Sequence, residues 1–299
     1  MSGITITKGN TSYSVDARAH QKNLHRLKHI PRMLRRMKEM SAYFVGKPQF
    51  IIRQEGEEVT AVREDYRQIL PRLVATAEED YVERLSLSEW NLDVKYGWNE
   101  ELAPWPITMH DVYAHVEVTV KTGNPYRNNA FIEFYRALQA RFLGVVEAKS
   151  PIGFYFHTGD LYGERNPGKM FYRHIKGQDL ERAIREGNAA LLNWALWECG
   201  KFFSRLINAN LYLEDSDRIG NFFIENNPAT NVFRFLDLER VRYLQEYGDR
   251  EKAEMLSKFI KKAIADGFLT AERLGEFVIV CLGTHSSSPE LVGELLSLA

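Results

Sequence analysis

Between residues 212 and 241 the chain gathers oxygen-bearing side chains around two short apolar runs: Asp215, Asp217, Asn221 and Asp237. The apolar runs, residues 222–224 and 232–236, are separated by an Asn/Pro turn, a pattern that predicts a β-hairpin. Asn221 immediately precedes the first strand and Asp237 immediately follows the second, so the hairpin would bring an amide and a carboxylate to the same end. Hard oxygen donors grouped in this way suit Mg²⁺. Phosphoryl transfer needs such a site, together with a nearby carboxylate to orient or deprotonate the acceptor hydroxyl.

The Asn-apolar-apolar run followed by a strand and Asp resembles the catalytic loop and metal-binding Asp of protein-kinase-like folds. The form FRFLDLERVR, with Asp-Leu-Glu where most kinases have Asp-Phe-Gly, is similar to the bacterial lipopolysaccharide (Kdo/heptose) kinase family. The resemblance covers roughly residues 112–244. It implies an α+β, protein-kinase-like two-lobed fold, a small antiparallel sheet lobe plus a mainly helical lobe, preceded by an N-terminal helical extension. It also implies ATP and Mg²⁺ as cofactors, with Asn221 and Asp237 as metal ligands and Asp215, or second to it Asp217, as base. The family's catalytic-loop Asp stands five positions before the Asn. Here that position is Ser216, flanked by Asp215 and Asp217, and no His-Arg precedes it. Either the loop differs in length by one residue or the site has lost its base.

Elements that would position these residues follow from periodicity. Residues 112–122 alternate, with Val112, Ala114, Val116, Val118 and Val120 on one face and Lys121 on the other. Downstream, residues 128–145 read as a helix ending at Gly144, with Glu133 early on it. By the resemblance, Lys121 binds the nucleotide's phosphates and Glu133 orients Lys121. No glycine-rich phosphate loop precedes Lys121, since between Trp90 and Val120 the one glycine is Gly97. Residues 152–158 and 169–175 form a second strand pair around a turn rich in turn formers. The resemblance makes the strand through Ile175 the entry to an interlobe hinge, where backbone groups would bind adenine, with Lys176 and Gly177 as linker. Asp179 is placed to cap the next helix, three residues ahead of Arg182. Residues 188–208 are apolar around most of their circumference and predict a buried helix. Residues 249–266 form an amphipathic helix stopped by Gly267, and a last apolar helix runs to Leu282.

The first part of the chain shows no such chemistry. Between Ala17 and Lys38 stand Arg18, Lys22, Arg26, Lys28, Arg32, Arg35, Arg36 and Lys38 without an acid. Leu24, Leu27, Leu34 and Met37 recur at helical spacing, interrupted by Pro31. Such a helix either packs its apolar stripe with a solvated basic face, or engages an anionic membrane or a nucleic acid. Residues 49–62 predict a hairpin turning at Glu55-Gly56, residues 63–87 a charged helix broken near Pro71, and residues 90–106 an irregular aromatic-rich connection. The expected division is therefore 1–89 as extension, 90–178 as sheet lobe and 179–299 as helical lobe.

Composition bounds the function. Lys and Arg total 39 against 40 Asp and Glu, so no global field favours nucleic acid. The two cysteines, Cys199 and Cys281, sit in apolar segments as buried thiols of a reducing compartment. No signal peptide or spanning segment is read, which makes the cytoplasm the expected location, with peripheral contact at the inner membrane through the basic helix. The histidines lack zinc-ligand spacing, the acidic cluster lacks a calcium-loop pattern, and no Gly-x-Ser-x-Gly elbow occurs. Two functions follow. One is a Mg²⁺-dependent phosphotransferase that passes a phosphoryl group from ATP to a hydroxyl, by resemblance a sugar of lipopolysaccharide or a similar small molecule. The other is a pseudokinase or kinase-like binding module without turnover, engaging a membrane surface or a nucleic acid through residues 17–38.

Overall fold

Short alternating runs set the strands of the chain's first half, and capped apolar runs set the helices of its second. The computed structural model describes residues 3–8, 11–16, 32, 34–40, 50–56, 58–64, 67, 84–87, 90–95, 109–110, 114–116, 126–148, 151–157, 168–173, 177–226, 230–238, 240–283 and 287–298. It divides into two compact units, one comprising residues 1–138 and 150–174, the other residues 139–149 and 175–299.

In the first unit β1 (Gly3–Lys8) and β2 (Thr11–Asp16) form an antiparallel pair. The hairpin expected at Glu55-Gly56 is formed by β3 (Phe50–Glu55) and β4 (Glu58–Arg63), with Gly56 at φ +60° in the turn. Residues 84–87 belong instead to a strand, β5 (Arg84–Leu87), which pairs with β6 (Trp90–Lys95). The expected helix does not extend there, and Trp90 does not open an irregular connection. Leu85 and Leu87, then Trp90, Leu92 and Val94, alternate with period two, and that local pattern wins over the charge content of the window. Next come β7 (Met109–His110), β8 (Ala114–Val116) and β9 (Tyr126–Asn128), joined antiparallel. Of the strand expected over 112–122, residues 114–116 are described as strand and the others lie outside the described residues.

Helix α1 (Asn129–Phe142) buries Phe134, Ala137, Leu138 and Ala140 and ends where expected, with Gly144 at φ +93°. Strands β10 (Pro151–His157) and β11 (Gly168–Arg173) then complete a six-stranded antiparallel sheet of order β3-β4-β10-β11-β6-β5. The sheet draws on β3, β4 and β5 from the first 87 residues and on β6, β10 and β11 from residue 90 onward. Residues 34–40 are helical, with Leu34 and Met37 buried and Arg35, Arg36 and Lys38 exposed.

The second unit begins with β12 (Gly177–Asp179). A Cβ on residue 177 would collide with the Ile224 carbonyl oxygen, so only glycine lets this strand approach its neighbour. Helix α2 (Leu180–Glu186) is capped as expected: the Asp179 carboxylate accepts from the Arg182 N–H at 2.7 Å. Helix α3 (Ala189–Asn208) is capped by Asn188 and buries Leu196, Phe202, Phe203, Leu206 and Ile207. Beyond β13 (Leu211–Leu213), the predicted hairpin is present as β14 (Phe222–Asn226) and β15 (Asn231–Phe235), with β12 on the outer side of β14. The chain continues through β16 (Val241–Tyr243), which pairs with β13, to α4 (Asp249–Ala265) and α5 (Ala271–Leu282). A further helix, α6 (Pro289–Leu296), escapes the sequence reading although Ser288 caps it and Pro289 opens it.

Aromatic packing joins these parts. Phe202 stacks on Phe235 at 4.9 Å between centroids, Phe203 meets Phe259 at 4.9 Å, and Phe222 touches both Phe235 (5.1 Å) and Phe259 (5.5 Å). Residues 145–148 run beside β15: Glu147 O accepts from the Phe235 N–H at 2.9 Å, and the buried Glu147 carboxylate pairs with Arg205. Both cysteines are fully buried. Among the described residues, no helix is long and apolar enough to cross a membrane. The class is α+β, and the elements run in the order sheet, helix, sheet, capped helix, buried helix, acidic loop, hairpin and helical tail.

Candidate functional site

The acidic loop leaves β13 and folds back on itself. The Arg218 N–H donates to Asp215 O at 3.0 Å, Ile219 N–H to Asp217 O at 2.9 Å, and Asn221 N–H to Arg218 O at 3.0 Å. Opposite Phe222 stands Phe235, and the Leu236 N–H donates to Asn221 O at 3.0 Å, so the hairpin ladder continues one step past the strands. This places Asn221 across from Leu236, next to Asp237. Phe222 and Phe235, both fully buried, fasten the two strands immediately inside these polar residues.

Asp215 lies close enough to Asp237 to feel its charge. Its side chain retains 14% of its exposure, Arg218 Nε stands 3.5 Å from Oδ2, and neither carboxylate oxygen has a hydrogen-bond partner. Burial, and after it the charge of Asp237, pushes the carboxyl from its ordinary 3.8 up to about 6, against the opposing pull of Arg218, its own backbone N–H and Arg240. The Asn221 Nδ2 is likewise buried without a partner. A half-turn of that amide would put its carbonyl oxygen at the same place. Two polar groups at one end of the hairpin, the Asp215 carboxylate and the Asn221 amide, therefore keep unspent hydrogen-bonding capacity in a buried setting, where a missing partner costs on the order of 1–3 kcal/mol. A divalent cation with its waters fits this donor set: Mg²⁺ typically takes one or two carboxylates and fills its remaining positions from water and phosphate. Among the described residues there is no group of three or more His, Cys, Asp or Glu placed to hold a metal by themselves.

The other candidates separate. Ser216 is fully buried and its Oγ donates to the Met255 carbonyl at 2.6 Å, so the position where the resemblance expects the base is a core anchor. Asp217 is exposed, and its charge acts on Lys262 of α4. Glu133 lies on α1, and its side chain is outside what is described; Lys121 and Ile175 lie outside the described residues. Sequence reasoning missed Arg218 and Arg240, the two cations that act on Asp215. Arg218 carries a local signal, three residues after Asp215 in a loop. Arg240 reaches Asp215 only through the fold.

No family model matches the sequence, and no curated protein matches it. Solved structures do. WaaP in complex with acyl carrier protein aligns over 82% of this chain and 81% of its own, with 13% identity and a TM-score of 0.43. The Legionella pneumophila LegK7 effector kinase aligns over 79% of this chain and 58% of its own, at 11% identity and a TM-score of 0.33. A double mutant of the Mycobacterium tuberculosis PknI kinase domain aligns over 84% and 90%, at 6% identity and a TM-score of 0.30.

Proposed function

We propose that this chain is a Mg²⁺-dependent phosphotransferase that moves a phosphoryl group from ATP to a hydroxyl, with a sugar as the acceptor class. The observation that carries the reading is the Asp215 carboxylate, buried without a hydrogen bond at either oxygen beside Asp237 and the Asn221 Nδ2, which also lacks one. In this reading Asn221 and Asp237 hold the metal, which when bound offsets the negative charge of the phosphates. Asp215 faces the acceptor and takes up the hydroxyl proton; a carboxyl that titrates near 6 is a better proton acceptor than an ordinary aspartate and remains mostly ionised at neutral pH. Arg218 and Arg240 keep it ionised. Lys121 and Glu133 are assigned by resemblance to the phosphates and to orienting the lysine, and the backbone at Ile175 to adenine. Asp217, exposed on the loop, is the weaker candidate for base.

Thermal denaturation with ATP, with and without Mg²⁺, tests the reading on wild type and Asp237→Ala. The expected result is a metal-dependent rise in Tm that the substitution removes, followed by phosphorylation of a lipid-linked sugar. Stabilisation without any turnover would leave a binding module of the pseudokinase type. No response to any nucleotide or metal would overturn both.

A second reading concerns the basic segment. With Leu34 and Met37 turned inward, Arg32, Arg35, Arg36 and Lys38 are exposed. Beside them lies a cavity of about 310 Å³ lined by Leu34, Arg35, Lys38, Ile52, Arg53 and Gln54. An apolar floor under a cationic rim suits the headgroup region of an anionic membrane, where a lipid-linked acceptor would be met.

A further inference from the structure

Asp215 is held from both sides by one helix. Immediately before it, Glu214 is pinned at both backbone groups: its N–H donates to Arg240 O at 3.2 Å, and its carbonyl accepts from Lys258 Nζ at 3.1 Å. Immediately after it, the Ser216 hydroxyl donates to the Met255 carbonyl at 2.6 Å. Met255 and Lys258 stand three residues apart on α4, hence on one face of that helix. Lys258 is itself oriented by the Glu254 carboxylate at 2.9 Å and the Tyr212 hydroxyl at 3.5 Å, and it stands 6.0 Å from the centre of the Tyr212 ring. A lysine that only solvates a helix face would not be engaged on so many sides.

The carbonyl that Lys258 holds belongs to the peptide plane entering Asp215. Rotation of that plane changes φ of Asp215 and swings its Cβ, so fixing the carbonyl fixes where the carboxylate stands. We infer that Lys258 is a positioning residue for Asp215: from α4 it locks the Glu214–Asp215 peptide, while Ser216 locks the following one. This inference rests on the phosphotransfer reading for its consequence in catalysis, but not for its geometry. It also accounts for Ser216. A serine in the place of the family's aspartate supplies the second anchor, and the reactive carboxylate moves one residue upstream.

The test compares Lys258→Met, which keeps the stem and removes the donors, with Lys258→Arg, which keeps charge and donors. Two quantities are measured: Mg²⁺-dependent ATP turnover, split into kcat and KM, and hydrogen exchange at the Arg218 and Ile219 amides in nucleotide-free protein. Those amides bond back to Asp215 and Asp217 and report the loop directly. Lys258→Met should lower kcat by about 10- to 100-fold, the scale expected for a group displaced by about 1 Å. It should leave KM for ATP within about twofold and speed exchange at both amides, while Lys258→Arg restores most of both. A kcat that falls only in proportion to lost folded protein, or exchange unchanged in Lys258→Met, would overturn the inference. Absence of turnover in wild type would defeat the phosphotransfer reading, and the exchange arm would still decide whether Lys258 holds the loop.

Discussion

A carboxylate buried beside another carboxylate, with neither oxygen hydrogen-bonded, destabilises the fold whenever it is ionised, and Asp215 is in that position. Its folded pKa is raised from 3.8 to about 6, so the folded chain holds a proton that the unfolded chain releases between those values. Stability from this group is therefore highest at and below about pH 4, declines through the window up to about pH 6, and stays low above it. A shift of this size corresponds to about 1–3 kcal/mol. Asp215→Asn, which keeps the shape and removes the charge, should accordingly stabilise the protein by about that amount at pH 7.5 and by little at pH 4, while abolishing turnover. Urea denaturation at the two pH values measures it. An equal effect at both, or a loss of stability at neutral pH, would show that the Asp215 carboxylate is satisfied by contacts other than a bound cation.

At the scale of elements, the site depends on the β14–β15 hairpin being rigid at its polar end. Phe222 follows Asn221 directly and Phe235 precedes Asp237 by two residues, and both rings are fixed in the aromatic cluster with Phe202 and Phe259. Phe222→Ala should cost about 3–5 kcal/mol in denaturant-measured stability. Its second consequence separates packing from chemistry: at low temperature, where the variant remains folded, the Mg²⁺-dependent response to ATP should weaken, because Asn221 loses the ring that sets its place in the ladder. A full response in the folded variant would mean that the ladder bond from Leu236 to Asn221 alone positions the amide. The hairpin was readable in the sequence because its signals are local, two apolar runs and an Asn/Pro turn; the Asp179 cap was readable for the same reason. What the sequence could not show is which of two flanking carboxylates faces inward. That depends on Ser216 reaching the Met255 carbonyl, thirty-nine residues away.

For the whole molecule, the same division between local and distant signals holds. The β3–β4 hairpin was predicted from its own pattern, but its pairing through β4 with β10 joins residues 58–62 to 153–157, and no local period encodes that. Strand β5 was misread because its short alternation sits inside a charged window, and the tail ended one helix early because α6 is short. Charge shows a comparable unevenness. The chain as a whole stands at −1, yet residues 17–38 carry only bases, and of these Arg32, Arg35 and Arg36 are exposed. A basic cluster attached to a near-neutral body is attracted to an anionic surface only within about a Debye length, roughly 8 Å at physiological salt. Each exposed base near such a surface contributes about 1 kcal/mol. Arg32→Gln, Arg35→Gln and Arg36→Gln together should therefore weaken binding to phosphatidylcholine vesicles containing a quarter phosphatidylglycerol by about 100-fold in co-sedimentation. Wild-type binding should fall steeply as salt rises and be absent from pure phosphatidylcholine. Equal binding to neutral vesicles, or a triple variant that binds as wild type does, would remove the membrane reading; salt-sensitive retention on single-stranded RNA in place of vesicles would transfer the same arginines to a nucleic-acid backbone.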